Sequence, residues 1–191
     1  MDEVLSGRRV AILAADGVER VELEQPRQAL EDAGARTFVV SIAGGEIQAR
    51  NNDLEDAGTF AVDQLVATAS VDDYDALLLP GGTVNPDKLR MQPVAVQFVR
   101  DFVVSGKPVA SICHGPWNFV EADVARGRRL TSFPSVRTDL RNAGATVVDE
   151  PVVTDGNITT SRSPEDLPAF CERIVQEFAK SPQPIGAGGR S

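Results

Sequence analysis

A single histidine, His114, a single tryptophan, a single tyrosine and only two cysteines occur in a chain of 191 residues. With one histidine and no Cys-x-x-Cys, a tetrahedral zinc site built from this chain is not expected. Basic residues are also short: 19 Lys and Arg face 28 Asp and Glu, a net charge of -9 with a pI near 4.6. Nucleic acid is therefore not an expected partner, since a phosphate backbone is met by a basic stripe. No run approaches the ~18 apolar residues of a membrane span, and the N-terminal "MDEVLSGRRV" is acidic where a secretory signal is basic. The expectation is a cytoplasmic protein without a membrane partner, in which Cys113 and Cys171 remain thiols. No Gly-x-Gly-x-x-Gly follows the first apolar run, where "AADGVE" stands instead. A nicotinamide cofactor is not expected either, and the functional site reads as cofactor-free.

The chain does carry 42% hydrophobic residues, enough at this length for one well-buried core. The organisation expected is one domain over 1–180 and a flexible Pro- and Gly-rich tail, "SPQPIGAGGRS", over 181–191. Residues 9–14, "RVAILA", form an apolar run followed by a turn and by helical spacing over 21–33. Residues 35–42 read as a second strand, and 43–58 as turns with a hairpin. "ALLL" ends in Pro80-Gly81-Gly82, and 93–104 is a helix closed by Ser105-Gly106. Residues 107–112 are the next strand, followed by helices over 116–125 and near 136–143. Strands joined by Asp155-Gly156 follow, and Ser163 is expected to cap a final helix reaching about Ala179. Alternating strands and helices predict a three-layer α/β sandwich with a mainly parallel, flavodoxin-like central sheet. Ligands in such sheets sit beyond the carboxyl ends of the strands.

"KPVASICHGPW" runs a buried-looking strand straight into Cys113 and His114. A nucleophile elbow fits this pattern, with Ser111 and Gly115 leaving room for a tight turn. The first glycine of the usual Gly-x-nucleophile-x-Gly pattern is replaced by Ser111. A thiol at a helix N-terminus is expected below roughly pKa 8.5, as a thiolate prone to oxidation. Cys171 shares a helical apolar face with Phe170, Ile174 and Phe178, and reads as core.

"SICHGP", "LPGG", "NPDKLR", "GVERVELEQP" and "TDGNITTSRSPEDL" together resemble the PfpI family of intracellular cysteine proteases and stress proteins. That family lies in the class I glutamine amidotransferase-like superfamily, beside the Parkinson-linked protein deglycases and the cofactor-free glyoxalases. The resemblance spans Arg8 to Ala179. It implies that Cys113 is the nucleophile and that Glu19 is the carboxyl that approaches it. It also implies an oxyanion hole from the amides of Gly82, in the Gly81-Gly82 turn, and His114. His114 is the implied base, with Asp87 of a neighbouring subunit as its acidic partner, and hence a homodimer or higher homo-oligomer. Trp117 and Phe119 are candidate pocket walls, and Arg162 a candidate for holding an anionic group.

Three activities are compatible with these residues. The first is a glyoxalase- or deglycase-like enzyme acting on a small aldehyde or a glycated group. The second is a cysteine peptidase acting through Cys113, His114 and Asp87. The third is a non-catalytic redox sensor or chaperone in which Cys113 is oxidised.

Overall fold

The computed structural model describes residues 4–181, so the expected tail lies, past its first residue, outside the described chain. In chain order the elements begin β1 (Arg9–Leu13), β2 (Val18–Glu19), α1 (Arg20–Asp32), β3 (Arg36–Ser41), β4 (Glu46–Asn51), β5 (Glu55–Ala61) and β6 (Gln64–Leu65). They continue with β7 (Ala76–Leu79), α2 (Val84–Arg90), α3 (Pro93–Val104), β8 (Val109–Ile112), α4 (Trp117–Glu121) and β9 (Arg129–Leu130). The last are α5 (Arg137–Asn142), β10 (Thr146–Val147), β11 (Val152–Asp155), β12 (Ile158–Ser161) and α6 (Leu167–Phe178).

Seven strands form one sheet in the order β11-β12-β8-β7-β1-β3-β6, parallel except for β11 against β12. Side chains alternate across its pleat, so each central strand feeds two cores. Ala11, Leu13, Leu77 and Leu79 pack with Phe98, Phe102 and Phe119 on one face. Val10, Ile12, Ala76 and Leu78 pack with Leu23, Leu30, Phe170 and Phe178 on the other. This is the expected three-layer sandwich, with α1 and α6 on one face and α2 to α5 on the other. Because both faces are covered, β1, β7 and β8 read as continuous apolar runs.

The chain leaves β1 toward β3 and leaves β7 toward β8, so the strand order reverses between β1 and β7. The loops after β1, β7 and β8 meet at that reversal, as the parallel-sheet argument requires. A small second sheet, β2-β4-β5, stands over the same end, with β4 and β5 as the hairpin expected in that region.

Three local expectations are corrected. The helix placed at 116–125 is the five-residue α4, because Asp123 turns to φ 53 and stops it. Ser163 does not cap α6: residues 164–166 form a 3-10 turn, and Asp166 occupies the N-cap position with its carboxylate turned to Arg162. Within "NPDKLR" stands a helix, α2, that the apolar spacing did not reveal.

Candidate active site

Register builds the site. Leu79 of β7 lies beside Ser111 of β8, so Gly81-Gly82 arrives next to Ile112-Cys113. Cys113 sits at φ 62, a left-handed conformation that costs a side-chain-bearing residue about 1–3 kcal/mol. Backbone bonds hold it there. Its N–H donates to the Ser161 carbonyl at 3.1 Å, its carbonyl accepts from Phe133 N–H at 2.9 Å, and Gly115 N–H donates to the Ile112 carbonyl at 2.9 Å. A Cβ on Gly115 would lie 2.4 Å from Ser111 Oγ and 2.6 Å from the Leu79 carbonyl, so only glycine lets the chain turn here. A Cβ on Gly81 would lie 2.8 Å from Cys113 Cβ and inside the space taken by the Glu22 carboxyl.

Glu22, not Glu19, is the carboxyl against the thiol. Glu22 is fully buried in the first turn of α1, on the same stripe as Leu23, Pro26 and Leu30. Its Oε2 accepts from Gly81 N–H at 2.9 Å, and the Cys113 thiol lies beside the carboxyl. Its Oε1 has no conventional donor. Burying the charged carboxylate is costly, and a proton removes that charge. Burial accordingly raises the Glu22 pKa from 4.5 to about 8, against the first-turn helix dipole, so Glu22 is an acid at neutral pH.

Glu19 holds the pocket wall instead. Its carboxylate accepts from the N–H groups of Asn52 and Asp53 at 3.2 and 3.4 Å, in the β4–β5 turn, where both residues have positive φ. Asp53 in turn accepts from Thr83 N–H and Oγ1 at 2.6 and 2.8 Å. β2 pairs with β4 at this residue, which commits the Glu19 carboxylate to the hairpin amides.

Burial and the facing Glu22 carboxyl push the Cys113 thiol up, not down as the helix-terminus argument expected. α4 is too short to supply much dipole. The opposing pull comes from the N–H groups of His114 and Gly82, both directed at the sulfur. Those two amides are the pair assigned to the oxyanion hole. His114 Nδ1 lies 3.2 Å from Cys113 Sγ, Nε2 lies 3.0 Å from Ser135 Oγ, and the ring stacks on Phe133 at 4.6 Å. Burial lowers the imidazole pKa, which keeps the ring neutral.

The remaining expected residues are elsewhere. Asp87 is exposed on α2 and lines a separate cavity of about 720 Å³ with Arg90, Met91 and Glu121. Trp117 packs on the far side of His114 with its indole N–H on Asp139 at 2.8 Å, and Phe119 is fully buried in the core. Neither lines the thiol pocket, because α4 turns its aromatic face toward α5. Arg162 is tied to Asp166 and Asp149 in an adjoining groove.

The thiol pocket encloses about 350 Å³ around Cys113; the expected residues Glu19, Gly82 and His114 line it together with Glu22, Asn52, Asp53, Thr83, Phe133 and Pro164. Buried Asn85 locks its base: Oδ1 accepts from Ala15 N–H, and Nδ2 donates to the carbonyls of Pro80 and Gly81. Asn85, Ser135 and the 52–53 turn were not singled out in the sequence. Glu22 did carry a signal, as a carboxyl on an otherwise apolar helix stripe. Among the described residues, no group of three or more His, Cys, Asp and Glu side chains is placed to hold a metal ion. No described helix is long and apolar enough to cross a membrane.

Uncharacterized proteins of Staphylococcus epidermidis and Staphylococcus aureus are 42% identical to the chain over 174 residues, covering 90% of it and 98% of each relative. Among solved structures, a two-domain protein of Anabaena variabilis with dj-1/thij/pfpi-like and ferritin-like domains matches 95% of the chain at 34% identity, with a TM-score of 0.84. The chain spans about half of that protein, 52%. Drosophila melanogaster DJ-1beta matches at 29% identity and a TM-score of 0.81, covering 90% of both chains. The elbow, the Gly81-Gly82 turn and Glu22 all fall within residues 8–177, the stretch that matches the family description, and the chain belongs to the DJ-1/PfpI family.

Proposed function

We propose that the protein is a cofactor-free cysteine enzyme that converts 2-oxoaldehydes to 2-hydroxy acids. The observation that carries this reading is the fully buried Glu22 carboxyl packed against Cys113, where burial raises its pKa to about 8. As sulfur bonds to the aldehyde carbon, the thiol proton passes to His114 Nδ1 and the Glu22 proton to the aldehyde oxygen, giving a hemithioacetal. The Glu22 carboxylate then takes the proton from that carbon, and its electron pair forms an enediol as His114 protonates the neighbouring oxygen. Glu22 returns its proton to the second carbon and the first enediol oxygen gives its proton to His114, leaving a thioester. Water hydrolyses the thioester, restoring the thiol and releasing the hydroxy acid; the proton left on His114 returns to Glu22. The first carbon is oxidised and the second reduced, so no external oxidant is used. The amides of Gly82 and His114 support the reading, since they can stabilise charge on sulfur or on an adjacent oxygen.

Lactate formation from methylglyoxal tests it. Cys113→Ala and Glu22→Gln are each expected to lose at least about 100-fold, the range of general acid-base catalysis. Glu19→Gln should lose far less. Glu22→Gln turning over at the wild-type rate overturns the reading.

Peptide hydrolysis is the second reading, favoured by the 3.2 Å contact between Cys113 Sγ and His114 Nδ1. In that case Glu22→Gln should spare cleavage of a fluorogenic peptide while His114→Ala abolishes it. A homo-oligomer in which Asp87 approaches His114 of another subunit belongs to this second reading.

A further inference from the structure

The thiol pocket opens into a second groove of about 530 Å³, the two sharing Asn52, Phe133 and Pro164 as walls. Two arginines reach into this groove from different elements. Ser161 of β12 pairs beside Ile112, so Arg162 emerges next to the elbow, and Arg137 opens α5. Both guanidinium groups close on one carboxylate, that of Asp149: Arg137 Nη2 donates to Oδ1 at 2.7 Å and Nη1 to Oδ2 at 3.2 Å, while Arg162 Nη1 donates to Oδ1 at 2.9 Å. Asp149 lies in the loop after β10, and its side chain is 59% exposed. Arg162 does not depend on it for position, because Asp166 holds its Nε and Nη2 at 2.8 and 2.9 Å. Arg137 is left short of an acceptor at its buried Nε. The groove thus presents one guanidinium held independently by Asp166 and a second, that of Arg137, whose hydrogen bonds all go to a removable, solvent-facing carboxylate. Glu165 on the rim adds a negative charge, so an anion gains only by taking the place of Asp149.

We infer that Arg137 and Arg162 form a subsite for a carboxylate carried by the molecule that reacts at Cys113, and that Asp149 occupies the subsite until that carboxylate displaces it. Planar forked donors suit a carboxylate, and Asp149 already displays the bound geometry. On the aldehyde reading above, which this inference extends, the favoured substrates are 2-oxoaldehydes with an acidic tail, such as 4,5-dioxopentanoate, over methylglyoxal.

The test does not require turnover. Maleimides react by addition of the Cys113 sulfur to the C=C bond, with the thiol proton ending on the adjacent carbon. The rate for 3-maleimidopropionate divided by that for N-ethylmaleimide therefore reports the subsite alone. The ratio should rise about fivefold in Asp149→Asn, the scale of an ion pair at a half-exposed site. It should fall back to the wild-type value or lower in Arg137→Gln/Asp149→Asn. Glu172→Gln removes a distant exposed carboxylate and should leave the ratio unchanged. An unchanged ratio in Asp149→Asn, or a rise that survives in the double variant or appears equally in Glu172→Gln, overturns the inference. A shifted ratio in a protein that forms no lactate would keep the subsite and discard the aldehyde reading, whereas lactate formation with an unchanged ratio would do the reverse.

Discussion

Replacing Glu22 by glutamine should make the protein more stable in alkali, although it removes the proposed acid. In the unfolded chain this carboxyl titrates near 4.5, whereas burial holds it protonated in the fold to about pH 8. Between those values the native state keeps a proton that the unfolded state has lost, so stability falls as pH rises. The slope for one proton is about 1.4 kcal/mol per pH unit, and the whole interval amounts to roughly 5 kcal/mol. The contribution is complete below pH 4.5 and lost by pH 8. A glutamine keeps the acceptor for Gly81 N–H and does not titrate, so Glu22→Gln should lack this slope. The lowered pKa of buried His114 gives the opposite trend, stability lost as pH falls through its range, but it is common to both proteins and cancels in the difference. Urea unfolding at fixed protein concentration, under reducing conditions, from pH 5 to 9 measures the comparison. The gap between variant and wild type should widen steadily up to pH 8 and then level off. At pH 8 it should correspond to at least about 10 °C in Tm for a chain of this size. Parallel pH profiles for the two proteins would refute the claim that Glu22 is buried as an acid.

Asn85→Ala leaves the Ala15 N–H and the Pro80 carbonyl without partners and the Gly81 carbonyl with only the Glu19 N–H, and should cost about 3 kcal/mol in urea unfolding while accelerating amide exchange in both loops. Mild peroxide should modify Cys113 ahead of Cys171, as read by peptide mass spectrometry. Burial raises both thiols, Cys113 further than Cys171, so the preference rests on the oxidised sulfur: Cys113 has the amides of His114 and Gly82 and the Glu22 acid to hold sulfur oxygens, whereas burial alone acts on Cys171. Equal modification of the two would remove that distinction, and Glu22→Leu should weaken trapping at the sulfinate. Light scattering at micromolar concentration should find at least a dimer; a monomer would rule out the role proposed for Asp87 across subunits.

Much of the architecture was legible because it depends on local periodicity. β1, β7 and β8 are short apolar runs closed by turn residues, and α3 begins at Pro93 and ends before Ser105-Gly106, as read from the residues alone. The hairpin about Asp155-Gly156 and the placing of Cys113 on a sharp turn followed from the same local chemistry. Helix ends were less legible where another side chain took over the capping group, as Arg162, four residues earlier, took the Asp166 carboxylate. The identity of the acid was decided only in three dimensions. Glu19 and Glu22 stand three residues apart in one acidic stretch, and both suit the chemistry. Pairing of β2 with β4 commits Glu19 to the hairpin, while the Leu23-Pro26-Leu30 stripe carries Glu22 under the sheet end. The ionisation of Glu22 and Cys113 was likewise hidden, since a sequence shows which groups titrate but not how dry their surroundings are. Burial overrode the first-turn helix dipole at Glu22 and the His114 and Gly82 amides at Cys113. Asn85, Ser135 and the 52–53 turn reach the pocket across long stretches of chain, through contacts that no local pattern encodes. Strand and helix were thus written in neighbouring residues, whereas the site formed where distant loops converged and excluded water.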